Sequence, residues 1–374
     1  MHARTTRHVL LAAAVALAAP ACTAPQSPAP PAAVAPLGGP GRVIVAWCDR
    51  FAAPSATSAD TKVHVVTAAA YSTADGSELV ERSTALPDGA SVEPLCGQPR
   101  SSAAAADRQL FDAGFDLVAG TLPGPGGTGT VATAFGLRDG RPVGGKAPEG
   151  RAPVFRAGTS VLWYESADHQ VDSIDLARAD AAPVAHGAAP GADFALADGD
   201  TWLVRPLDTT ADQVVVSPDG AVAAGSGPVL WHRTDPAAPY SAQYVEPAVL
   251  GRASNGRASV PGSEQLEYCA PRLWTDPATL LCTGAQRLLL LGFAADHSRL
   301  ETVTAVSTGS SLRVESAALA PDGRSLAFLL PARRGHELYR VDLAPGAQPV
   351  LVALVPGSTA DPQTAGTPHL VGWQ

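Results

Sequence analysis

Two apolar runs separated by Pro321-Asp322-Gly323 constrain the fold of this chain more than any other feature. Pro presets the backbone for a tight turn, Asp bonds back to it, and Gly permits positive φ. The pattern predicts an antiparallel hairpin from residues 317–320 into residues 325–330. The same cassette recurs at Ser217-Pro218-Asp219-Gly220. This recurrence indicates a repeat architecture.

Comparable hairpin turns mark further repeats along the chain, starting at Phe111, Phe155, Ser217, Trp274 and Ala320. Spacings of about 40 to 60 residues are typical of a four-stranded propeller blade with loops of variable length. Asp219, Asp276 and Asp322 recur at one position of the repeat, as residues that cap turns do.

The two ends of the chain complete each other as one blade. Residues 369–374 read as a first strand without partners, whereas residues 43–48, 63–71 and 78–86 read as three strands without a first one. Joined, they close the ring and remove its open sheet edges. The sequence therefore predicts an all-β, six-bladed β-propeller. Residues 193–204 lie outside this count, as an inserted hairpin or as part of a seventh blade.

The cassettes also resemble a known family. Ser217-Pro218-Asp219-Gly220 and Ala320-Pro321-Asp322-Gly323, the second followed by residues 326–328 and 338–343, resemble the TolB-type propeller repeat. The good matches cover about two blades. The resemblance implies a six-bladed propeller outside the cytoplasmic membrane that often acts through protein contacts. It fixes no activity, because propellers include both binding modules and enzymes.

The N-terminus predicts export from the cytoplasm. Arg4 and Arg7 precede an apolar run over residues 9–19, which is typical of a secretory signal and too short to span a membrane. The run ends at Ala19-Pro20-Ala21-Cys22, which resembles the lipobox of bacterial lipoproteins. That resemblance implies a lipid-modified Cys22, although Ala19 stands where Leu is preferred and Pro20 is unusual. Ala19-x-Ala21 also satisfies an ordinary signal peptidase, and simple secretion is the alternative.

These features divide the chain into a signal peptide (residues 1–21), the lipidated Cys22 with an Ala- and Pro-rich tether (residues 22–40) and the propeller (residues 41–374). The predicted location is the extracytoplasmic face of the cell membrane, with the lipid as the membrane contact.

Four further cysteines fit an oxidising compartment, where an even number suggests two disulfides. Cys269 and Cys282 are symmetric about Thr275-Asp276, the expected turn of a hairpin, so a bridge between them is geometrically plausible. Cys48 and Cys96 then form the second pair. A metal site is the rival interpretation, but no Cys-x-x-Cys or paired histidine supports it.

The sequence offers few signals of chemistry. The net charge of −9, without a basic run in the mature chain, argues against nucleic-acid binding. No zinc-protease motif or nucleophile elbow occurs, so neither a catalytic residue nor a metal or other cofactor is predicted. Arg272, Trp274 and Trp373, on the first strands, are the candidate ligand-facing residues, since aromatic and Arg side chains are common contact anchors.

The favoured hypothesis is a membrane-anchored propeller lipoprotein that binds an envelope protein or a small ligand. The alternative is a propeller hydrolase or lactonase with an axial active site. Axial metal sites need several Asp, Asn or Glu side chains on first strands, and the predicted first strands are mainly apolar.

Overall fold

The computed structural model divides the chain into two units, Met1–Ala35 and Pro36–Gln374. It describes residues 35–52, 62–93, 95–96, 107–143, 149–178, 180–188, 194–196, 202–204, 214–225, 229–233, 241–243, 270–284, 287–308, 314–333, 335–355 and 367–374. The predicted signal peptide, Cys22 and most of the predicted tether lie outside these ranges. Within the ranges, no helix has the length and apolar character to cross a membrane.

The first blade is built from both ends of the chain. Its strands are β1 (Arg42–Ala52), β2 (Lys62–Ser72), β3 (Glu78–Ala85) and β25 (His369–Trp373). They form one antiparallel sheet in the order β25-β1-β2-β3. At the junction, Arg42 and Gln374 exchange backbone hydrogen bonds of 3.1 and 2.9 Å. The predicted closure of the ring is confirmed.

Blade 2 has an inner edge made of two separate pieces. Its sheet contains β4 (Leu117–Pro123), β5 (Thr130–Gly136) and β6 (Pro142–Val143). Phe111, which follows a 3-10 turn at Asp107–Leu110, bridges to Val118, and Ser91 bridges to Thr121. A second 3-10 turn, Pro125–Gly127, lies between β4 and β5.

The remaining four blades are four-stranded antiparallel sheets. Blade 3 contains β7 (Gly150–Phe155), β8 (Val161–Ser166), β9 (Gln170–Asp175) and β10 (Val184–Ala188). Blade 4 contains β13 (Val214–Val216), β14 (Val222–Gly225), β15 (Val229–His232) and β16 (Ser241–Gln243). Blade 5 contains β17 (Ala270–Asp276), β18 (Thr279–Gly284), β19 (Arg287–Phe293) and β20 (Leu300–Thr308). Blade 6 contains β21 (Ser316–Leu319), β22 (Ser325–Ala332), β23 (Gly335–Asp342) and β24 (Val350–Val355).

The fold is therefore a six-bladed β-propeller, as predicted. The segment outside the predicted count is an inserted hairpin, β11 (Phe194–Leu196) and β12 (Trp202–Val204), which forms its own two-stranded sheet. Phe194 and Leu196 are buried against Trp163 and Val154 of blade 3. Gln109 of the first 3-10 turn also donates to the Leu196 carbonyl at 3.1 Å.

Most of the core lies between adjacent blades. One buried cluster joins blades 1 and 2, another joins blades 6 and 1, and a third joins blades 5 and 6. Each four-stranded sheet buries apolar side chains on both faces, which suits the short, strongly apolar strands of this sequence.

The hydrogen bonds of the turns confirm that the repeated aspartates cap them. Oδ1 of Asp219, Asp276 and Asp322 accepts the backbone N–H two residues later, at 2.9 to 3.0 Å. One predicted turn is wrong in position: β17 runs through Asp276, and the chain reverses at Pro277-Ala278 instead of Thr275-Asp276. The Asp276 cap explains the shift, because it closes the turn after the aspartate.

Candidate functional site

One end of the propeller axis carries a set of charged side chains. Since each blade repeats the same up-and-down order, the inner strands all begin at the same face, which we call the strand-start face. Arg151, Arg272 and His369 lie in the first residues of inner strands, and Glu315 directly precedes another. These inner-strand starts form the axial mouth, the candidate functional site.

Blade 3 contributes the most organised group of the axial mouth. The Glu165 side chain is completely buried (0% exposed), and Arg151 donates to it through Nε at 2.8 Å and Nη2 at 2.9 Å. His169 Nδ1 lies 2.7 Å from the same Oε1 that Nη2 contacts. Arg151 and His169 are about half exposed, at 49% and 56%. A buried carboxylate thus fixes two side chains that reach solvent.

The backbone around this group is strained. His169 and Ala152 have φ of 58°, in the left-handed region that non-glycine residues seldom adopt. The strand register shifts between Arg151 and Val154, so β7 carries a bulge directly after Arg151. Bulges and left-handed residues redirect side chains and are frequent at functional sites. Here they direct Arg151 and His169 toward the same buried carboxylate.

Blades 5 and 6 also hold their inner-strand charges in place. Arg272 Nε donates to Thr283 Oγ1 at 2.9 Å. Glu315 Oε2 lies 2.8 Å from His336 Nε2 in a half-buried pair. The neighbouring Ser316 Oγ accepts the N–H of Leu370 at 2.9 Å, which ties blade 6 to the C-terminal strand. The axial mouth therefore presents both signs of charge in defined orientations.

The structure separates the three candidate ligand-facing residues. Arg272 lies at the axial mouth, as described above. Trp274 is 6% exposed, donates from Nε1 to the Val215 carbonyl at 3.2 Å and packs against Phe293. Trp373 lies at the far end of β25 and packs partly buried against the cluster between blades 6 and 1. The contacts of both tryptophans are those of inter-blade packing.

One of the two predicted cysteine pairs lies within the described residues. Cys48 of β1 and Cys96 form a disulfide, and both are buried. Cys282 is also disulfide-bonded, while its predicted partner Cys269 lies outside the described residues. The Cys48–Cys96 bond ties the segment around Cys96 to β1. The same segment contains Ser91, which pairs with the inner edge of blade 2.

A shallow cleft lies between this segment and blade 3. Its lining consists of Ser91, Glu93, Ala119, Gly120, Thr121 and Pro153. Position 120 requires glycine because Ser91 and Phe135 approach its backbone closely. A Cβ there would lie 2.6 Å from the Ser91 carbonyl oxygen and 2.7 Å from the Phe135 ring. Glu93 and Pro153 both line the cleft, and Pro153 belongs to β7, the inner strand that carries Arg151.

A second polar group lies on the outer strands of blade 3. Ser173 Oγ is 2.8 Å from His186 Nε2, and the His186 ring stacks on Trp163 at 3.9 Å. Ser173 is buried, and the cluster around Trp163 is packed by the inserted hairpin. The arrangement orients His186 and satisfies the serine hydroxyl.

On the other face of the same strands, Tyr164 and Asp172 are cross-strand neighbours. The Tyr164 hydroxyl and Asp172 Oδ1 are buried and have no hydrogen-bond partner among the described residues. Burial raises the pKa of Asp172; the nearby His186 opposes this, and Asp168 adds to it. Burial, and then the Asp172 charge, also raises the pKa of Tyr164.

Asp172→Asn is expected to stabilise the fold at neutral pH. A carboxyl whose pKa is raised by folding begins to cost stability when the pH exceeds its unfolded-state pKa, because the unfolded chain ionises it more easily, and the cost is complete above the folded-state pKa. The gain should shrink as the pH falls through the folded-state pKa. Thermal unfolding at pH 7 and pH 4 measures it. Asp175→Asn is the control, since Asp175 accepts hydrogen bonds from Ser160 and Ala177 and its loss should destabilise.

Within the described ranges, no group of three or more His, Cys, Asp or Glu side chains is placed to hold a metal ion. Sequence reasoning missed the group formed by Arg151, Glu165 and His169. One signal was available: a histidine occupies the hairpin position where glycine is usual, three residues after Ser166.

No protein-family model matches this chain, and no curated protein matches it. Solved structures similar to it include TolB from Acinetobacter baumannii (11% identity, TM-score 0.39, 88% of this chain and 67% of that one). Another is a protein from Lactobacillus plantarum (11% identity, TM-score 0.42, 87% and 98%). A third is the Cps50 β-propeller domain of Myceliophteria thermophila (14% identity, TM-score 0.32, 64% and 69%). The sheet topology gives the chain its β-propeller fold, and its structural neighbours include TolB and other propellers.

Proposed function

We propose that this chain is a membrane-anchored extracytoplasmic lipoprotein whose propeller binds a protein or a small ligand at the cell envelope. The observation that carries the binding role is the axial mouth. There, Arg151, Arg272 and Glu315 are each held by a residue from another strand of the same blade. Side chains fixed in this way lose less conformational freedom when a partner binds them.

The proposed cellular location rests on different observations. The basic residues, apolar run and Cys22 of the N-terminus support export and lipid attachment. The Cys48–Cys96 disulfide is consistent with folding in an oxidising compartment. A lipid anchor would confine the propeller near a membrane and raise the local concentration of envelope partners.

Two measurements on the full-length gene product, expressed in a bacterial host, test the proposal. Intact mass of the membrane and medium fractions should find a membrane species that starts at a lipid-modified Cys22. Crosslinking in whole cells should then capture an envelope partner or ligand. An Arg151→Met, Glu165→Leu, Arg272→Ala variant removes the buried carboxylate together with its main partner, so it should reduce that capture without loss of the folded state.

The control for surface charge is Arg299→Ala, which removes an exposed arginine from a turn at the opposite face. An unlipidated species found only in the medium would refute the anchor. Equal capture by the axial-mouth variant and by the wild type would refute the axial mouth as the binding surface.

A further inference from the structure

Within the axial mouth, His169 is held in a defined chemical form. Glu165, as a carboxylate, can only accept hydrogen bonds, so the His169 ring must carry a proton on Nδ1 to donate to it at 2.7 Å. In the neutral ring, Nε2 then holds a lone pair. The side chain is 56% exposed, and Nε2 has no hydrogen-bond partner among the described residues.

Four other described histidines hold their contacts in less exposed positions. His64 bonds the Ala90 carbonyl, His297 bonds the Pro277 carbonyl, and His186 bonds Ser173. His336 also contacts a carboxylate, that of Glu315, but its side chain is only 16% exposed. A carboxylate that fixes one ring nitrogen so that the other faces outward is the arrangement that proteins use to orient a histidine toward a ligand.

The backbone at position 169 does not itself require a histidine. The turn that ends at His169 is closed by its N–H donating to the Ser166 carbonyl at 3.0 Å. Glycine would adopt the left-handed φ of this position without strain. Histidine is present despite that strain, and its ring contacts Glu165. The turn itself does not need the imidazole.

The neighbouring groups restrict the kind of ligand. Arg151 Nη2 and His169 Nδ1 share the same Glu165 oxygen, so the guanidinium lies beside the imidazole, which in its neutral form presents a lone pair on Nε2. A hydroxyl group both donates and accepts hydrogen bonds, and it matches this pair. A carboxylate or phosphate has only acceptor oxygens, and their lone pairs would repel the lone pair of His169 Nε2. An ammonium group would be repelled by the positive charge of Arg151.

We propose that His169 Nε2 is the hydrogen-bond acceptor of the axial mouth and that the ligand it takes is polyhydroxylated, a sugar or polyol. This inference rests on the axial mouth of the proposed function and names its ligand chemistry. Arg151 supplies the complementary donor, and Glu165 is the positioning residue for both side chains.

Nitrogen NMR of the full chain in detergent tests the acceptor. When its ring is neutral, His169 should carry its proton on Nδ1, and diethyl pyrocarbonate should modify it faster than any other histidine of the propeller. The tautomer preference should be lost in Glu165→Gln. A ring with its proton on Nε2, or modification no faster than that of His64, would overturn the assignment whether or not a cellular partner is found.

D-glucose, with sodium phosphate as the matched anion, tests the ligand class. Glucose should slow the modification of His169 and phosphate should not. His169→Gly should weaken glucose binding by about tenfold, the loss of one hydrogen bond, while the strained turn is relieved. His169→Gln should retain binding, because its amide can donate to Glu165 and accept outward. No protection by glucose, or equal binding by the glycine variant, would refute the hydroxyl assignment.

Discussion

Glu165→Gln is expected to destabilise the propeller by about 3 kcal/mol, as when one member of a buried ion pair is removed. The side chain is completely buried and accepts hydrogen bonds from Arg151 and His169. Glutamine keeps the shape but turns its own NH₂ group toward one of these donors. Arg151 is half exposed and can regain water, which places the loss at the lower end for such pairs. Urea unfolding followed by circular dichroism measures it.

Glu301→Gln is the matched control. It breaks the Arg299–Glu301 pair, which has a shorter contact of 2.6 Å but lies exposed. Exposed ion pairs contribute about 0 to 1 kcal/mol, so this variant should unfold almost like the wild type. Similar losses in the two variants would mean that burial of Glu165 is not what makes its contacts strong.

A third variant separates the fold from the site. Arg151→Met combined with Glu165→Leu removes the buried charge together with its main partner, and apolar replacements of buried pairs are often neutral. Its stability should recover toward that of the wild type, while the tautomer preference of His169 should stay lost. If the variant regains stability but His169 does not regain its tautomer preference, then the main role of Glu165 is to orient His169 rather than to stabilise the fold.

The blades were predictable because their signals are local. Each Pro-Asp-Gly cassette sets a turn, and the apolar runs on either side, such as residues 325–330, are read within a few positions of it. The closure was predictable for a related reason: residues 369–374 are a strand that needs a partner, and the N-terminal blade lacked one. The turn cassettes and the pairing of the C-terminal strand with the N-terminal blade therefore favour the same topology.

The inner edge of blade 2 was predictable only in part. The hairpin turn that starts at Phe111 was read from the sequence, and Phe111 bridges to Val118 after it, but Ser91 reaches Thr121 from a distant segment that no turn cassette joins. The glycine that admits Ser91, Gly120, reads in sequence as an ordinary strand glycine. Only the approach of the distant segment explains it.

The candidate site shows the same difference between features set by local sequence and features set by distant contacts. The alternation of side chains, which is local, placed Arg272 on the same strand face as Trp274. The contacts of Trp274 depend on the neighbouring blade, where its indole meets the Val215 carbonyl. Glu165 and His169 sit four residues apart across a turn, so their contact depends on the left-handed backbone at His169, which sequence does not reveal.

Loss of the Cys48–Cys96 disulfide is expected to cost about 4 kcal/mol, from the loop entropy of a bond that joins residues 48 positions apart. The Cys48→Ala, Cys96→Ala variant tests this without adding polar groups to two buried positions. A lower urea midpoint than that of the wild type is the expected result. An unchanged midpoint would mean that buried contacts of the segment, such as Leu95, hold it without the bond.

The same variant should open blade 2 locally before the ring unfolds. Ser91 and Thr121 exchange backbone hydrogen bonds of 2.9 and 2.8 Å, and the disulfide is the covalent link that holds Ser91 in place. Hydrogen exchange at these two amides should therefore accelerate, whereas the Ser316 and Leu329 pair of blade 6 should be unaffected. Equal acceleration in both blades would show that the disulfide stabilises the whole ring and not the inner edge of blade 2. Acceleration confined to blade 2 would make the bond a local support for Glu93 and the cleft beside the axial mouth.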